Sequence, residues 1–453
     1  MISPKFKTFR QRILLAGSWT LAGHGLGQVI RLASNLVMTR LLVPEMFGVM
    51  SIAITVSMIL VLLSDLGVQQ NIVQSKRGDD SEFLDTAWVV QITRGVVLCL
   101  FMLLLSIGLH FANVAGMLPA NSVYASPELP PVLAVFSLTA ILSGLQSTKI
   151  ATAYRNFEQK RVIQIALTSQ IFGLIVMIII GAISRSIWAL VAGALVASVT
   201  TTLLSHTWMR GHSNRFRYDR KALRELFDFG KWVFVSSILY VLTINGDKLL
   251  LGAIVGADVL GFYVIASLIV GAIIGILEKL FYNVSLPALS EIVRNEPARL
   301  NNIYNKLCIP GDLLLLFLTG FLFEAGHWLI ALLYDQRYAA AGGMLEVLAL
   351  SLFAARYEIA RQAYNALGMP RYGAVMSVVR FISMCVLVPL LYYVGGTQGA
   401  IWGIALHPLA AVPIVYYFNA KLGLLNLRHE SLVLVALPIG FLAGSALDLL
   451  LAR

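Results

Sequence analysis

Stretches of apolar sequence long enough to cross a bilayer recur from one end of the chain to the other. A transmembrane helix needs about 20 mostly apolar residues. Thirteen segments reach that length: 13–38, 47–66, 87–111, 131–152, 163–183, 187–207, 231–255, 261–285, 306–325, 342–366, 373–394, 399–419 and 431–451. Runs such as Ile171–Ile180 and Leu313–Phe323 are apolar on every helical face, as contact with lipid requires. Only 13% of the 453 residues are charged, against about 25% in ordinary soluble proteins. So few charges cannot solvate a soluble surface of this size. The expectation is an all-α integral membrane protein with about 12–14 transmembrane helices.

The net charge of +11 would suggest nucleic acid in a soluble protein. Here it must be mapped onto the membrane. With a cytoplasmic N-terminus, the cytoplasmic segments hold 22 Lys and Arg and the outer segments 4. The positive-inside rule therefore puts the N-terminus inside. On this topology the inner segments also hold 11 acids, while spans and outer segments are balanced, so the whole excess lies on the inner face. It reports orientation and leaves no case for nucleic acid. The N-terminus reads as an uncleaved first span, since its apolar run continues too long for a signal peptide. Cys99, Cys308 and Cys385 all fall inside spans, which argues against a disulfide framework.

The most basic connection, 208–230, follows the sixth span and divides the chain. The expected organisation is a six-helix lobe (1–207), a basic cytoplasmic linker (208–230), a second six-helix lobe (231–420) and an extra hydrophobic segment (421–453). The linker reads first as a topology determinant and second as a contact for anionic lipid. Leu41–Ala53 and Ile254–Ala266 align without gaps at an offset of 213, pairing Glu45 with Asp258, Gly48 with Gly261 and Ala53 with Ala266. Asp65 meets Glu278 at the same offset. This is the trace expected of parallel repeats.

Charges inside spans are costly and mark function by default. Eight bases (Arg31, Arg94, Lys149, Lys248, Lys279, Arg356, Arg361 and Arg380) and eight acids (Asp65, Asp247, Glu278, Asp312, Glu324, Glu346, Glu358 and Asp448) lie there. Lys149, Asp65, Lys279, Glu324 and Asp448 are near helix ends and expected to snorkel. In span one, His24, Gln28, Arg31 and Asn35 share a helical face, with Thr20 a turn earlier. That stripe must face other helices or a hydrated cavity. Arg31 suits an anionic ligand, because guanidinium stays charged and forks onto phosphate oxygens. Arg361 lies one turn from Glu358 and from Tyr357 and Tyr364, Arg380 one turn from Ser377, and Arg94 one turn from Gln91. Arg361 and Glu358 can simply pair; Arg361, Arg380 and Arg94 can also line the cavity. The first half holds three in-span bases and one acid, the second five bases and seven acids. Carboxylates of the second half could take protons or sodium ions. No HExxH, GxxxxGK[ST], GxSxG or CxxC motif is present, so the sequence offers no support for metal chemistry or nucleotide hydrolysis.

Six segments carry a family resemblance. RLLVPEMFGVMSIA (Arg40–Ala53), DLGVQQNIVQSK (Asp65–Lys76), NGDKLLLGAIVGADVLGFYVIA (Asn245–Ala266), LPALSEIVRNEPARL (Leu286–Leu300), LGMPRYG (Leu367–Gly373) and GGTQGAIWGIAL (Gly395–Leu406) occur in order over nearly the whole chain. They resemble bacterial polysaccharide-transport proteins of the multidrug/oligosaccharidyl-lipid/polysaccharide exporter superfamily. The resemblance implies two six-helix lobes around a central cavity, alternating access, and an undecaprenyl-pyrophosphate-linked repeat unit as substrate, for O-antigen, capsule or exopolysaccharide. It further implies the inner membrane as location, and membrane lipids, a polysaccharide polymerase and export machinery as partners. With no nucleotide-hydrolysis motif, any work must come from a proton or sodium gradient, the membrane potential or substrate pull. Asp247 and Lys248 match the family motif in the seventh helix, as coupling or lobe-contact residues alongside Glu358. Twelve or fourteen helices are common in that family. The thirteenth span here, with Pro438, Gly440 and Gly444, departs from that pattern and implies a re-entrant or truncated end.

Two other readings compete. An ion-coupled multidrug antiporter of the same superfamily would need an anionic cavity, against which the Arg31 face argues. A membrane glycan polymerase or ligase would need a large outer loop, whereas the longest outer connection is about residues 112–130.

Overall fold

The computed structural model describes residues 9–64, 67–156, 158–280 and 285–451, with side chains omitted for 9–18, 20–21, 228–244, 280 and 450–451. Asp65 therefore lies outside the described residues. Among them, the secondary structure is helical throughout. The chain divides into two compact units, Met1–Val241 and Leu242–Arg453.

The first unit contains α1 (Phe9–Leu41), α2 (Pro44–Leu63), α3 (Val68–Gln74), α4 (Ser81–Val114), α5 (Leu129–Phe136), α6 (Leu138–Gly144), α7 (Lys149–Arg155), α8 (Gln159–Ser184), α9 (Trp188–Thr207) and the start of α10 (Arg220–Ile254). The second contains the rest of α10, then α11 (Ala257–Leu280), α12 (Leu286–Asn295), α13 (Leu300–Leu333), α14 (Ala340–Ala349), α15 (Ser351–Ala355), α16 (Glu358–Ala366), α17 (Pro370–Leu406), α18 (Val412–Lys421), α19 (Leu427–Val433) and α20 (Ala436–Leu451). Nine helical segments among the described residues are long and apolar enough to cross a membrane. The pair Leu129–Gly144 and Lys149–Arg155, bent by 57°, makes a tenth. All thirteen apolar segments of the sequence fall on helices.

The internal duplication has a structural counterpart. Helix α1 ends at Leu41 and α10 at Ile254, while α2 begins at Pro44 and α11 at Ala257, so both boundaries keep the offset of 213. Burial matches as well: Ile52 and Ile265, and Ala53 and Ala266, are all 1% exposed or less. The same hairpin opens a helical pair in each unit.

Lipid is as apolar as leucine, so helices inside a bilayer associate through close packing and hydrogen bonds rather than hydrophobic exclusion. The α13–α20 contact shows this. Phe317 lies against Gly440 and Glu324 against Gly444, so the two helices run side by side in the same direction. Residues Leu427–Leu449 form a segment long and apolar enough to cross a membrane. Helix α17 breaks at Gly395 and Gly396, where Gly396 takes φ +57°. Positive φ favours glycine, and the arm after the break folds back until Gly403 lies against Leu387 and Val388. Segments 373–394 and 399–419 are thus separated by a tight turn.

Residues 208–227 belong to the first unit. Ala222 and Leu226 join Val68, Ile72, Phe83, Leu84, Ala87, Val90 and Ala151 in one apolar cluster. Asp85, 1% exposed, accepts from the Arg215 amide (2.9 Å) and pairs with His212 Nε2 (2.7 Å). Asn214 bonds Ser147 Oγ (2.7 Å) and Thr148 Oγ1 (2.6 Å). Asp219 accepts from the amides of Lys221 and Ala222 as α10 begins.

Candidate functional site

The polar stripe of α1 is in place. Helix α8 packs beside it, not over it: Gln170 Nε2 donates to Gly27 O (3.1 Å) and Gly23 meets Ile163. Arg31 is exposed, and His24, Gln28 and Asn35 are partly buried. Asn35 Nδ2 donates to Arg31 O (3.0 Å), a bond within the helix that leaves the Arg31 guanidinium uninvolved. Among the described residues, no ion-pair partner meets that guanidinium.

Arg94 projects from α4 toward the end of α2. Its Nε donates to Ser64 Oγ (2.9 Å) and its Nη2 to Val61 O. These bonds hold the guanidinium at the wall of a cavity of about 290 Å³. The other polar lining is Gln69, Gln70, Gln91, Ser143 and Gln146. Helices α4 and α6 approach closely here, since a Cβ at Gly95 would stand 2.6 Å from Ala140 O and one at Gly144 2.6 Å from Gln91 O. Arg94 is the one charged side chain among the described lining residues. Four carboxamides and a hydroxyl offer donors and acceptors together, as sugar hydroxyls require.

The second unit arranges its charges differently. Glu358, 8% exposed, bridges two arginines: Arg361 Nε donates to its Oε2 (2.8 Å) and Arg380 Nη1 to its Oε1. Arg361 also donates to Ser377 Oγ (3.1 Å). Glu278 lies within electrostatic reach of all three. The local pairing of Glu358 with Arg361 thus extends to a third residue 22 positions along the chain. Nearby, Tyr263 OH donates to Asp247 Oδ2, while Asp247 Oδ1 is buried with no hydrogen-bond partner among the described residues. Lys248 is partly buried on the next helical position and makes no ion pair among those residues.

One cluster escaped sequence reasoning as a cluster. Arg356, 1% exposed, donates to Glu430 Oε2 and lies 3.9 Å from Asp312 Oδ2. His429 Nε2 stands 3.0 Å from that same Asp312 oxygen. Tyr357 and Tyr416 each reach Glu430 Oε2 at 3.2 Å. Arg356 and Asp312 are visible in the sequence as in-span charges. The usable signal is that a buried arginine must have carboxylate partners, but nothing local names Glu430. Lys149 also departs from expectation. Its ammonium is buried and donates to His206 O (2.9 Å) in the last turn of α9, where the helix dipole favours a cation.

No group of three or more potential metal ligands occurs among the described residues. What the fold does offer is Arg31 exposed on α1 and Arg94 at a polar cavity in the first unit, and linked in-span charges around Glu358 and Arg356 in the second. The sequence profile of the polysaccharide biosynthesis protein family matches residues 37–343. The chain belongs to that family. It is 21% identical over 346 residues to the lipopolysaccharide biosynthesis protein WzxC of Escherichia coli strain K12, covering 75% of this chain and 67% of that one. Its fold is similar to the lipid II flippase MurJ in an inward closed conformation (TM-score 0.69, 12% identity, 93% of this chain and 91% of that one). It is also similar to an inward-facing multidrug resistance MATE family transporter of the MOP superfamily (TM-score 0.66, 13% identity, 88% and 94%). The chain is a multi-pass membrane protein of polysaccharide biosynthesis.

Proposed function

We propose that this chain translocates a polyprenyl-pyrophosphate-linked oligosaccharide across the bacterial inner membrane by alternating access, with its N-terminus in the cytoplasm. The observation that carries this reading is the charge pattern of the first unit. Among the described residues, Arg31 is exposed without a carboxylate partner, and Arg94 is held at a cavity otherwise lined by amides, a hydroxyl and apolar groups. A sugar–pyrophosphate head cannot cross hydrocarbon unaided. Arginine forks match its phosphate oxygens, and amides match its hydroxyls, while the polyprenyl tail stays in lipid. Membership of the polysaccharide biosynthesis family and the name of its WzxC relative support a glycan cargo.

The second unit supplies the element that responds to an ion gradient. Asp247, with one oxygen held by Tyr263 and the other unsatisfied, is suited to take a proton or sodium ion. Glu358 pairs with both Arg361 and Arg380, so these two serve the stability of the unit before they serve a ligand. A drug antiporter would need carboxylates free to face its cargo, and Glu358, matched twice over, is not one of them. A polymerase and export machinery would take the cargo on the outer side.

A deletion strain tests the reading. Undecaprenyl-linked repeat units should accumulate on the cytoplasmic face of the inner membrane, and the restored gene should clear them. Normal export without accumulation would overturn it.

A further inference from the structure

The stretch from Trp208 to Phe227 sorts its charges by direction. Its acids turn inward: Asp219 accepts from the Lys221 and Ala222 amides and from Arg77 (3.2 Å), and Glu225 from Ser75 Oγ (2.5 Å). Its bases turn outward. Arg210, Arg215, Arg217, Arg220, Lys221 and Arg224 are all exposed, and none joins an ion pair among the described residues. Aromatic side chains stand among them, with Trp208, Phe216, Tyr218 and Phe227 exposed by 45%, 73%, 59% and 51%. Such rings are unfavourable in water and favourable at headgroup depth.

This face is held in place. His212 and the Arg215 amide bond Asp85, Asn214 bonds Ser147 and Thr148, the Asp219 amide donates to Thr86 Oγ1 (3.0 Å), and Phe216 packs 4.8 Å from Trp88. Its position is fixed too, because it begins where α9, a membrane-crossing segment, ends.

We infer that this face is a binding surface for the headgroups of anionic phospholipids in the bilayer that surrounds the chain. Guanidinium groups meet lipid phosphates, the aromatic rings enter the interface, and the two described carboxylates of the stretch itself, Asp219 and Glu225, are engaged by partners within the fold. A topology signal would require only the count of bases. The segregation of acids from bases, and the rigid presentation of the aromatics, are what a lipid site requires. The surface is independent of the transported cargo.

The test is Trp208 fluorescence of the full chain in nanodiscs, taken as the difference between wild type and Trp208→Phe. Brominated phosphatidylglycerol should quench Trp208 more strongly than the same fraction of brominated phosphatidylcholine. The enrichment should reach about fivefold for each cation engaged. It should vanish at about 1 M salt, where the screening length is about 3 Å. The triple variant Arg215→Gln/Arg217→Gln/Arg220→Gln should lose the preference with an unchanged unfolding midpoint, and the corresponding lysine variant should keep it. Equal quenching by both lipids, or a preference that survives the glutamine variant, would overturn the inference. So would retention of RNA or an acidic protein by this face without lipid preference.

Discussion

The two units carry unequal numbers of costly charges in an apolar setting, four in-span charges against twelve, and arrange them differently. In the first, Arg31 is left exposed and Arg94 is anchored by neutral oxygens of α2 beside a polar cavity. In the second, Glu358 clasps Arg361 and Arg380, and Arg356 is enclosed by Asp312, Glu430 and two tyrosines. A buried charge that is matched within the fold contributes to the structure. A charge exposed inside a span, such as Arg31, is a candidate for contact with a ligand or water. Under the proposed function, the first unit would meet the anionic cargo and the second would serve integrity and ion coupling.

The comparison breaks most visibly at Glu358. Glu358→Gln removes the carboxylate that both arginines bond, and losing one partner of a buried ion pair costs about 3–5 kcal/mol. The unfolding midpoint should fall sharply, and adding Arg380→Gln should recover part of the loss. A midpoint unchanged by Glu358→Gln would mean that the cluster is open to water and the contrast between the units is lost. Arg31→Ala should do the reverse: polymer export is abolished while protein level and unfolding midpoint hold. Arg31→Lys should be intermediate, because ammonium keeps the charge but not the fork. The smallest effect is at Asp219. The Ala222 and Lys221 amides, followed by Arg77, hold its carboxyl below the ordinary range. A lowered carboxylate contributes stability above its unfolded pKa of about 4 and loses it as pH falls through the folded value. Asp219→Asn should lower the unfolding midpoint slightly at neutral pH and leave it unchanged at low pH.

Much of the fold was legible because lipid imposes simple rules. Span length, the offset hairpin and the polar face of α1 all follow from apolar run length and helical period, which are local properties. The partners were not. Periodicity says which residues share a face, but not which helix that face meets. Glu358 finds Arg380 across a helix boundary, Arg356 finds Glu430 at 74 positions and Asp85 finds His212 at 127. The same limit applies to 208–230. Its charge was plain in the sequence, while the placing of Asp219 and Glu225 depends on Ser75, Arg77 and Thr86 far upstream.

The most direct measurement is the binding of undecaprenyl pyrophosphate to the purified chain, compared between first-unit and second-unit arginine variants of equal stability. Arg31→Ala and Arg94→Gln should each weaken binding by about tenfold or more, since a charge-assisted hydrogen bond contributes about 1.5–3 kcal/mol. Arg361→Gln should change it little. Binding that survives Arg31→Ala and Arg94→Gln but is lost in Arg361→Gln would contradict the assignment of the cargo to the first unit.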